Sequence, residues 1–460
     1  MKLFAHALAI SLTLSASQSV AQIPRYELGK RVKRFERQFE LIVADESARQ
    51  EPLPDLKSAV SAFFTLQAAE ALSHLDRATL ALKKDSTIAP AVLAMTFEPQ
   101  QRLLSPEVTE LVIRIRPMYG ERPAVESNVV LRLVAPDGKE VASQSSTTNA
   151  GEVTLKFQKL PEADYTLSTR IGEVELSAMS QTISVVKDLD SRLASVEAAA
   201  GKNDPDRTLP LGKYVREWGR QLRSLKRKTK PETDIPGHRL LARLEAWTTA
   251  SKPVLDASVS RMVLSSGRKA VACRVRLCDA ALKGKPRPVV IALHGAGGSE
   301  NMFYETYGAG KVVGLCGKRD WLLVCPRISP LFGLPLGTDP MLSSLEAQGV
   351  SIDRKKVFVV GHSMGAGTAM SLARQETPLR AVAALGGGGS AAISQQNKNA
   401  PFFVAAGDQD FGLRGASSLA SGLKKRGVKA RFETYKNTEH LGIVQVALED
   451  VFRFFDSESE

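Results

Sequence analysis

The stretch VFVVGHSMGAG, residues 357–367, decides how this chain reads. A run of apolar β-formers enters Gly361-His362-Ser363-Met364-Gly365, and small residues follow. A serine hydroxyl is a weak nucleophile and has to be presented free of its neighbours. A very tight turn from strand to helix does this, but it leaves no room for side chains beside the serine. Gly361 and Gly365 meet that demand, and Gly367 lets the following helix pack close. The helix N-terminus beneath Ser363 favours developing negative charge. A bare G-x-S-x-G is a weak signal; a strand before it and a helix after it make it specific.

The surrounding 200 residues supply that setting. PRPVVIALHGAGG, RDWLLVCPR, LRAVAALGGGG, PFFVAAGDQD and KARFETYKN read as strands. DPMLSSLEAQGVSI, GLRGASSLASGLKKRGV and LGIVQVALEDVFRFFD read as helices between and after them. Continuous apolar strands alternating with helices predict a mostly parallel sheet covered on both faces. Such a serine needs a base, an acid to orient it, and two N–H donors for the oxyanion. His440 lies between the last strand and the last helix, where a catalytic loop belongs. The carboxylates between Ser363 and His440 are Glu376, Asp408, Asp410, Glu433 and Glu439. Asp410 is the chosen acid, because Gly407-x-x-Asp places it just beyond a strand end; Asp408 is the alternative. The expected oxyanion donors are the amides of Met364 and of Ala296 in LHGAGGS, with Gly295 as fallback. His294 reads as a residue that steadies this loop.

His294-Gly295-Ala296-Gly297-Gly298, Gly361-His362-Ser363-Met364-Gly365, Gly407-Asp408-Gln409-Asp410 and Glu439-His440 together resemble the α/β-hydrolase superfamily. The nearest likeness is to secreted esterases of the feruloyl esterase and polyhydroxybutyrate-depolymerase kind. The resemblance implies the chain order serine, acid, histidine, and His440 is the one histidine after Ser363. It implies an acyl-enzyme mechanism that uses no metal or cofactor. The chain has Ala366 where many relatives have another glycine. The elbow is also similar to that of prolyl-oligopeptidase-type peptidases, but no propeller-like repeat precedes it. A serine peptidase, or a non-catalytic envelope binding protein on a hydrolase fold, are the competing readings.

The chain has 460 residues, which implies several domains. Met1-Lys2, an apolar run from Leu3 to Leu14 and a small-residue ending at Ala21 read as a signal peptide. The mature protein is therefore expected to be secreted or periplasmic, with no integral membrane span. Residues 22–90 carry apolar residues at spacings of three and four and read as helical. Residues 91–187 alternate apolar and polar residues between turns and read as a small β-sandwich. That pattern resembles immunoglobulin-like or prealbumin-like domains of exported proteins. Residues 188–255 return to helix and linker, and 256–460 form the hydrolase region. The two helical segments are expected to pack together, with the β-domain inserted between them.

Formal net charge is +13. A basic surface suits an anionic envelope component. RSLKRKTK, 223–230, lacks interleaved aromatics, so nucleic acid is not the expected partner. Cys273, Cys278, Cys316 and Cys325 leave room for one or two disulfides in an oxidising compartment. The absence of CxxC and HExxH excludes the commonest zinc motifs. The loop PRISPLFGLPLGTDP, 326–340, offers Leu331, Phe332 and Leu334 as a substrate wall for an apolar acyl or aryl group. The expected substrate is a small-molecule or polymer ester.

Overall fold

The computed structural model describes residues 25–82, 90–172, 174–176, 179–203, 210–226 and 232–459. The expected signal peptide and residues 227–230 of the basic run lie outside them.

The C-terminal half is built on one eight-stranded sheet. Its strands are β10 (Arg261–Ser266), β11 (Lys269–Arg276), β12 (Arg287–Leu293), β13 (Leu322–Pro326), β14 (Ile352–His362), β15 (Ala381–Leu385), β16 (Phe402–Gly407) and β17 (Ala430–Tyr435). Their spatial order is β10-β11-β13-β12-β14-β15-β16-β17. β10 and β11 form an antiparallel hairpin, and β11 pairs antiparallel with β13. The other pairs, from β13 to β17, are parallel. The sheet is therefore mixed, with a parallel body and an antiparallel edge.

Side-chain alternation divides the core. Val289, Ile291, Val357 and Val359 point to one face; Val290, Ala292, Phe358 and Val360 point to the other. The first face is covered by α5 (Pro210–Ser224), α6 (Gly237–Thr249), α8 (Thr338–Glu346), α9 (Met364–Ala373) and α10 (Leu413–Lys425). The second is covered by α7 (Lys311–Lys318) and α11 (Ile443–Ser457). Because both faces are dry, β15 and β16 are buried at every position. Because the strands are parallel, Leu293, His362 and Gly407 all end at one rim of the sheet. That rim is where loops can meet.

The region 95–185 contains two sheets. One is β1 (Met95–Pro99), β3 (Glu110–Pro117) and β6 (Glu152–Lys156), antiparallel throughout. The other runs β2 (Leu103–Leu104), β9 (Gln181–Val185), β7 (Ala163–Ile171), β4 (Asn128–Val134), β5 (Glu140–Thr147), with β8 (Val174–Glu175) on β7. Ile113 and Ile115 from the first sheet share a core with Leu131, Leu133, Leu167 and Ile183 from the second.

The two helical segments do not form one bundle. α4 (Leu189–Asn203), α5 and α6 join the first face of the eight-stranded sheet, where Tyr214, Trp218 and Trp247 pack at 4.9–5.1 Å. The N-terminal helices α1 (Arg25–Phe39), α2 (Leu53–Phe64) and α3 (Ala68–Ala81) have their own small core and lean on Leu441 and Val446 at the opposite face. The reason is polar as well as apolar. The buried Glu36 carboxylate accepts the Gly308 N–H at 2.8 Å, and Gln445 Nε2 donates to the Glu36 carbonyl at 3.1 Å. Arg49 donates to the Lys436 carbonyl at 2.9 Å, and Asn437 donates to the Glu46 carbonyl at 3.0 Å. The N-terminal segment is thus clasped to the loops that end β17.

All four cysteines are free and buried, so no disulfide staples the C-terminal half. They sit on strands or helix ends as small apolar side chains, and burial pushes the Cys316 thiol up to about 12.

Burial also pushes the Glu36 carboxyl well above the ordinary carboxylate range, against the hydrogen bond from Gly308. One Glu36 oxygen has no hydrogen-bond partner. A raised folded pKa gives stability that is whole below the unfolded value of about 4.3. That stability is lost as pH climbs through the folded value. Glu36→Gln keeps an acceptor and cannot ionise. Its melting temperature is expected to gain on wild type progressively as pH rises from about 5 to about 9. A difference that stays flat across that range would contradict the assignment.

Candidate active site

β14 enters the elbow and α9 leaves it. Ser363 sits between them at φ 56°, ψ −115°, a strained conformation for a residue with a side chain. The crowding is severe. A Cβ on Gly361 would lie 2.1 Å from the Gly365 carbonyl oxygen, and one on Gly365 would lie 1.9 Å from that of Leu293. Two backbone segments therefore meet where any side chain would separate them.

The parallel rim then brings the predicted residues together. Ser363 Oγ is 2.9 Å from His440 Nε2, and His440 Nδ1 is 2.8 Å from Asp410 Oδ1. The Gly412 N–H donates to the same Asp410 oxygen at 2.6 Å. His440 and Asp410 are both buried. Asp408 does not take this place; it accepts a long hydrogen bond from the Thr438 N–H at 3.4 Å. Met364 is the first residue of α9, and Ala296 lines the same cavity as Ser363 and His440. His294 is buried and ties two loops: its Nε2 accepts the Ile328 N–H at 3.0 Å and its Nδ1 donates to the Gly295 carbonyl at 2.8 Å.

His362 is the functional neighbour that sequence reasoning passed over. Its Nε2 donates to the His440 carbonyl at 2.8 Å, and its Nδ1 accepts the Tyr307 hydroxyl at 2.8 Å. Those two bonds fix one tautomer. Burial, helped by the neighbouring His440 ring, pushes the His362 pKa down to about 3, so it stays neutral. Hydrogen bonds through His362 thus link the Tyr307 segment, the elbow and the histidine loop. Beside it, Glu439 accepts the Leu441 and Gly442 N–H groups at 2.8 and 2.9 Å, and burial raises its carboxyl pKa. His362 was visible in the motif; its partner Tyr307, 55 residues away, carried no signal.

The cavity above Ser363 has a volume of about 280 Å³. Its wall differs from the sequence expectation. Leu331 and Phe332 are 60% and 87% exposed and do not line it; Leu334 packs against the core instead. The loop is pinned inward at Ile328 by His294, and beyond Ser329 it turns back on itself, with Ser329 and Gly333 bridged. Its tip therefore points away from the site. The wall comes from α1 and α2, with Leu28, Val32, Phe63 and Phe64 facing Gly295–Gly298 and Ser363. Among the described residues no group of His, Cys, Asp or Glu is arranged to hold a metal ion.

Residues 340–443 match the model of the dienelactone hydrolase family, and that stretch holds Ser363, Asp410 and His440. Solved structures similar to the chain include a ferulic acid esterase at 18% identity, covering 44% of this chain and 97% of that one, TM-score 0.37. An S-formylglutathione hydrolase of Staphylococcus aureus is 15% identical, covering 42% and 94%, TM-score 0.34. A ferulic acid esterase of Anaeromyces mucronatus, in complex with ferulic acid, is 13% identical, covering 45% and 95%, TM-score 0.35. No curated protein matches the chain.

The hydrolase elbow gives a direct steric prediction. Gly365→Ala forces the Leu293 carbonyl to move and should destabilise the fold by at least about 3 kcal/mol. Thermal unfolding checks it; a wild-type melting temperature in that variant would show that the close approach is absent.

Proposed function

We propose that this protein cleaves carboxylic esters through Ser363, His440 and Asp410. The observation that carries the reading is the continuous pair of hydrogen bonds Ser363–His440–Asp410 at 2.9 and 2.8 Å. His440 Nε2 accepts the serine proton as Oγ forms a bond to the ester carbon. The carbonyl electrons move to oxygen, and the N–H groups of Ala296 and Met364 donate hydrogen bonds to the oxyanion. The carbon–oxygen bond to the alcohol then breaks, and the alcohol leaves with the proton from His440. Water, deprotonated by the same imidazole, attacks the acyl-serine and frees the acid. Asp410 holds the Nδ1–H tautomer and offsets the positive charge on the ring. The α9 N-terminus adds a favourable field at the oxyanion.

Export supports an extracytoplasmic ester as substrate. We infer it from the leader-like Met1–Ala21. No described helix is long and apolar enough to cross a membrane. The two-sheet region 95–185 we assign as an immunoglobulin-like spacer; it contributes one residue, Ser180, to the cavity wall.

Kinetics on a p-nitrophenyl ester test the assignment. Ser363→Ala should lose the activity, and Asp410→Asn should lower kcat by about 10³-fold or more. Asp408→Asn should retain most of it. A Ser363→Ala protein turning over at the wild-type rate would end the proposal.

His362 acts as a positioning residue. His362→Ala should lower kcat by about tenfold to a hundredfold with little change in KM, because the His440 main chain loses its anchor. His362 is neutral across the working range, so the pH profile of kcat/KM between about pH 5 and 9 should keep its shape. A lost or displaced limb in that profile would mean that His362 titrates during turnover.

A further inference from the structure

The N-terminal helix α2 ends in two adjacent aromatic residues, which pack edge-to-face at 5.3 Å and both line the cavity above the nucleophile. Successive helical residues point about 100° apart, so one helix end can reach both the glycine loop and the loop bearing Asp410. The Phe63 ring covers the glycine loop: a Cβ built on Gly297 would lie 2.3 Å from Phe63 Cζ. Gly297 holds φ +74°, which keeps that surface flat and open to the ring. Phe64 meets the edge of Phe411 at 5.5 Å, and Phe411 lies 4.0 Å from the His440 ring. Phe64 itself is 6.5 Å from His440. One aromatic face therefore runs from the glycine loop through Phe63 and Phe64 to Phe411 beside the imidazole.

These rings are not core residues. Phe63 is half-buried, while Phe64 and Phe411 are 44% and 53% exposed. Large apolar surface left open at a cavity mouth is what an apolar ligand covers. The helix that carries the rings is fixed. Lys57 Nζ donates to Gln409 Oε1 at 2.6 Å, on the loop that bears Asp410. Further along, the cavity is closed by ions already paired with each other. Lys30 lies 3.0 Å from Asp234, and Arg25 lies 3.6 Å from Glu232. About 280 Å³ bounded in this way is at the lower edge of ordinary ligand sites.

We propose that α2 is the specificity element of this hydrolase: Phe63 and Phe64 seat the apolar arm of a small ester, aryl or short acyl, in place of an ester carried on a polymer. The inference rests on the ester-hydrolase reading and adds the substrate class to it. It also gives the N-terminal segment a task at the reaction centre, 300 residues before the serine in sequence.

The test compares p-nitrophenyl acetate, p-nitrophenyl butyrate, p-nitrophenyl benzoate and a feruloylated polysaccharide across variants of the full chain. Wild type should prefer butyrate or benzoate to acetate and leave the polymer ester essentially uncleaved. Phe63→Ala and Phe64→Ala should each lower kcat/KM for the preferred ester by about tenfold while acetate changes much less. Phe63→Leu, which keeps apolar bulk, should restore most of the loss and controls for folding. Variants whose losses run parallel on all three small esters would overturn the aromatic seat, and so would polymer cleavage at a rate matching the small esters. In either case a wild-type protein active only with Ser363 intact leaves the ester reading standing. A wild-type protein inert to every ester overturns both.

Discussion

The site depends on backbone segments approaching more closely than side chains allow. Gly361 and Gly365 let the end of β14, the start of α9 and the Leu293 carbonyl share one crowded point. The turn holds Ser363 at φ 56°, so the hydroxyl stands clear of its own main chain. Conformational strain of this kind costs of the order of 1–3 kcal/mol and persists only where the surroundings enforce it. Here the enforcing parts are a sheet buried on both faces and a helix docked through Ala366 and Ala369. Stability in the sheet is thus converted into presentation at its rim.

Around that turn the structure makes the histidine loop rigid from two directions. From within, His362 and Tyr307 hold the His440 main chain through hydrogen bonds, and burial keeps His362 neutral. From outside, the N-terminal segment binds the same loop through Arg49–Lys436 and Asn437–Glu46, and holds the segment beside Tyr307 through Glu36–Gly308. The imidazole therefore meets Ser363 already oriented, and little reorganisation is left for the reaction step. The same N-terminal segment walls the cavity, so one piece of chain both supports the histidine loop and lines the site.

How much of this was legible in the sequence follows from the range of the interactions. The elbow, the parallel strands and the order of Ser363, Asp410 and His440 are carried by local patterns: apolar runs, glycines and strand-end carboxylates. Asp410 over Asp408 was a matter of one turn, and Gly407-x-x-Asp was enough to choose. The cavity wall was not legible. Leu331, Phe332 and Leu334 had the right chemistry and the right strand end, but the His294–Ile328 bond and the Ser329–Gly333 bridge turn their loop away. Phe63 and Phe64 look like ordinary helix residues; only tertiary docking of α2 against Gly297 and Phe411 gives them a place. Tyr307 likewise has no motif. The paired helical segments were misjudged because amphipathic patterns show that a face is buried and not against what.

The central claim is that Ser363 is a nucleophile activated by His440. Incubation of the full chain with a fluorophosphonate, followed by proteolysis and mass spectrometry, measures this without knowledge of the natural ester. The account predicts a single adduct on the peptide containing Ser363, formed far more slowly when His440 is replaced by alanine. An unmodified Ser363, or labelling that proceeds equally fast without the imidazole, would contradict it.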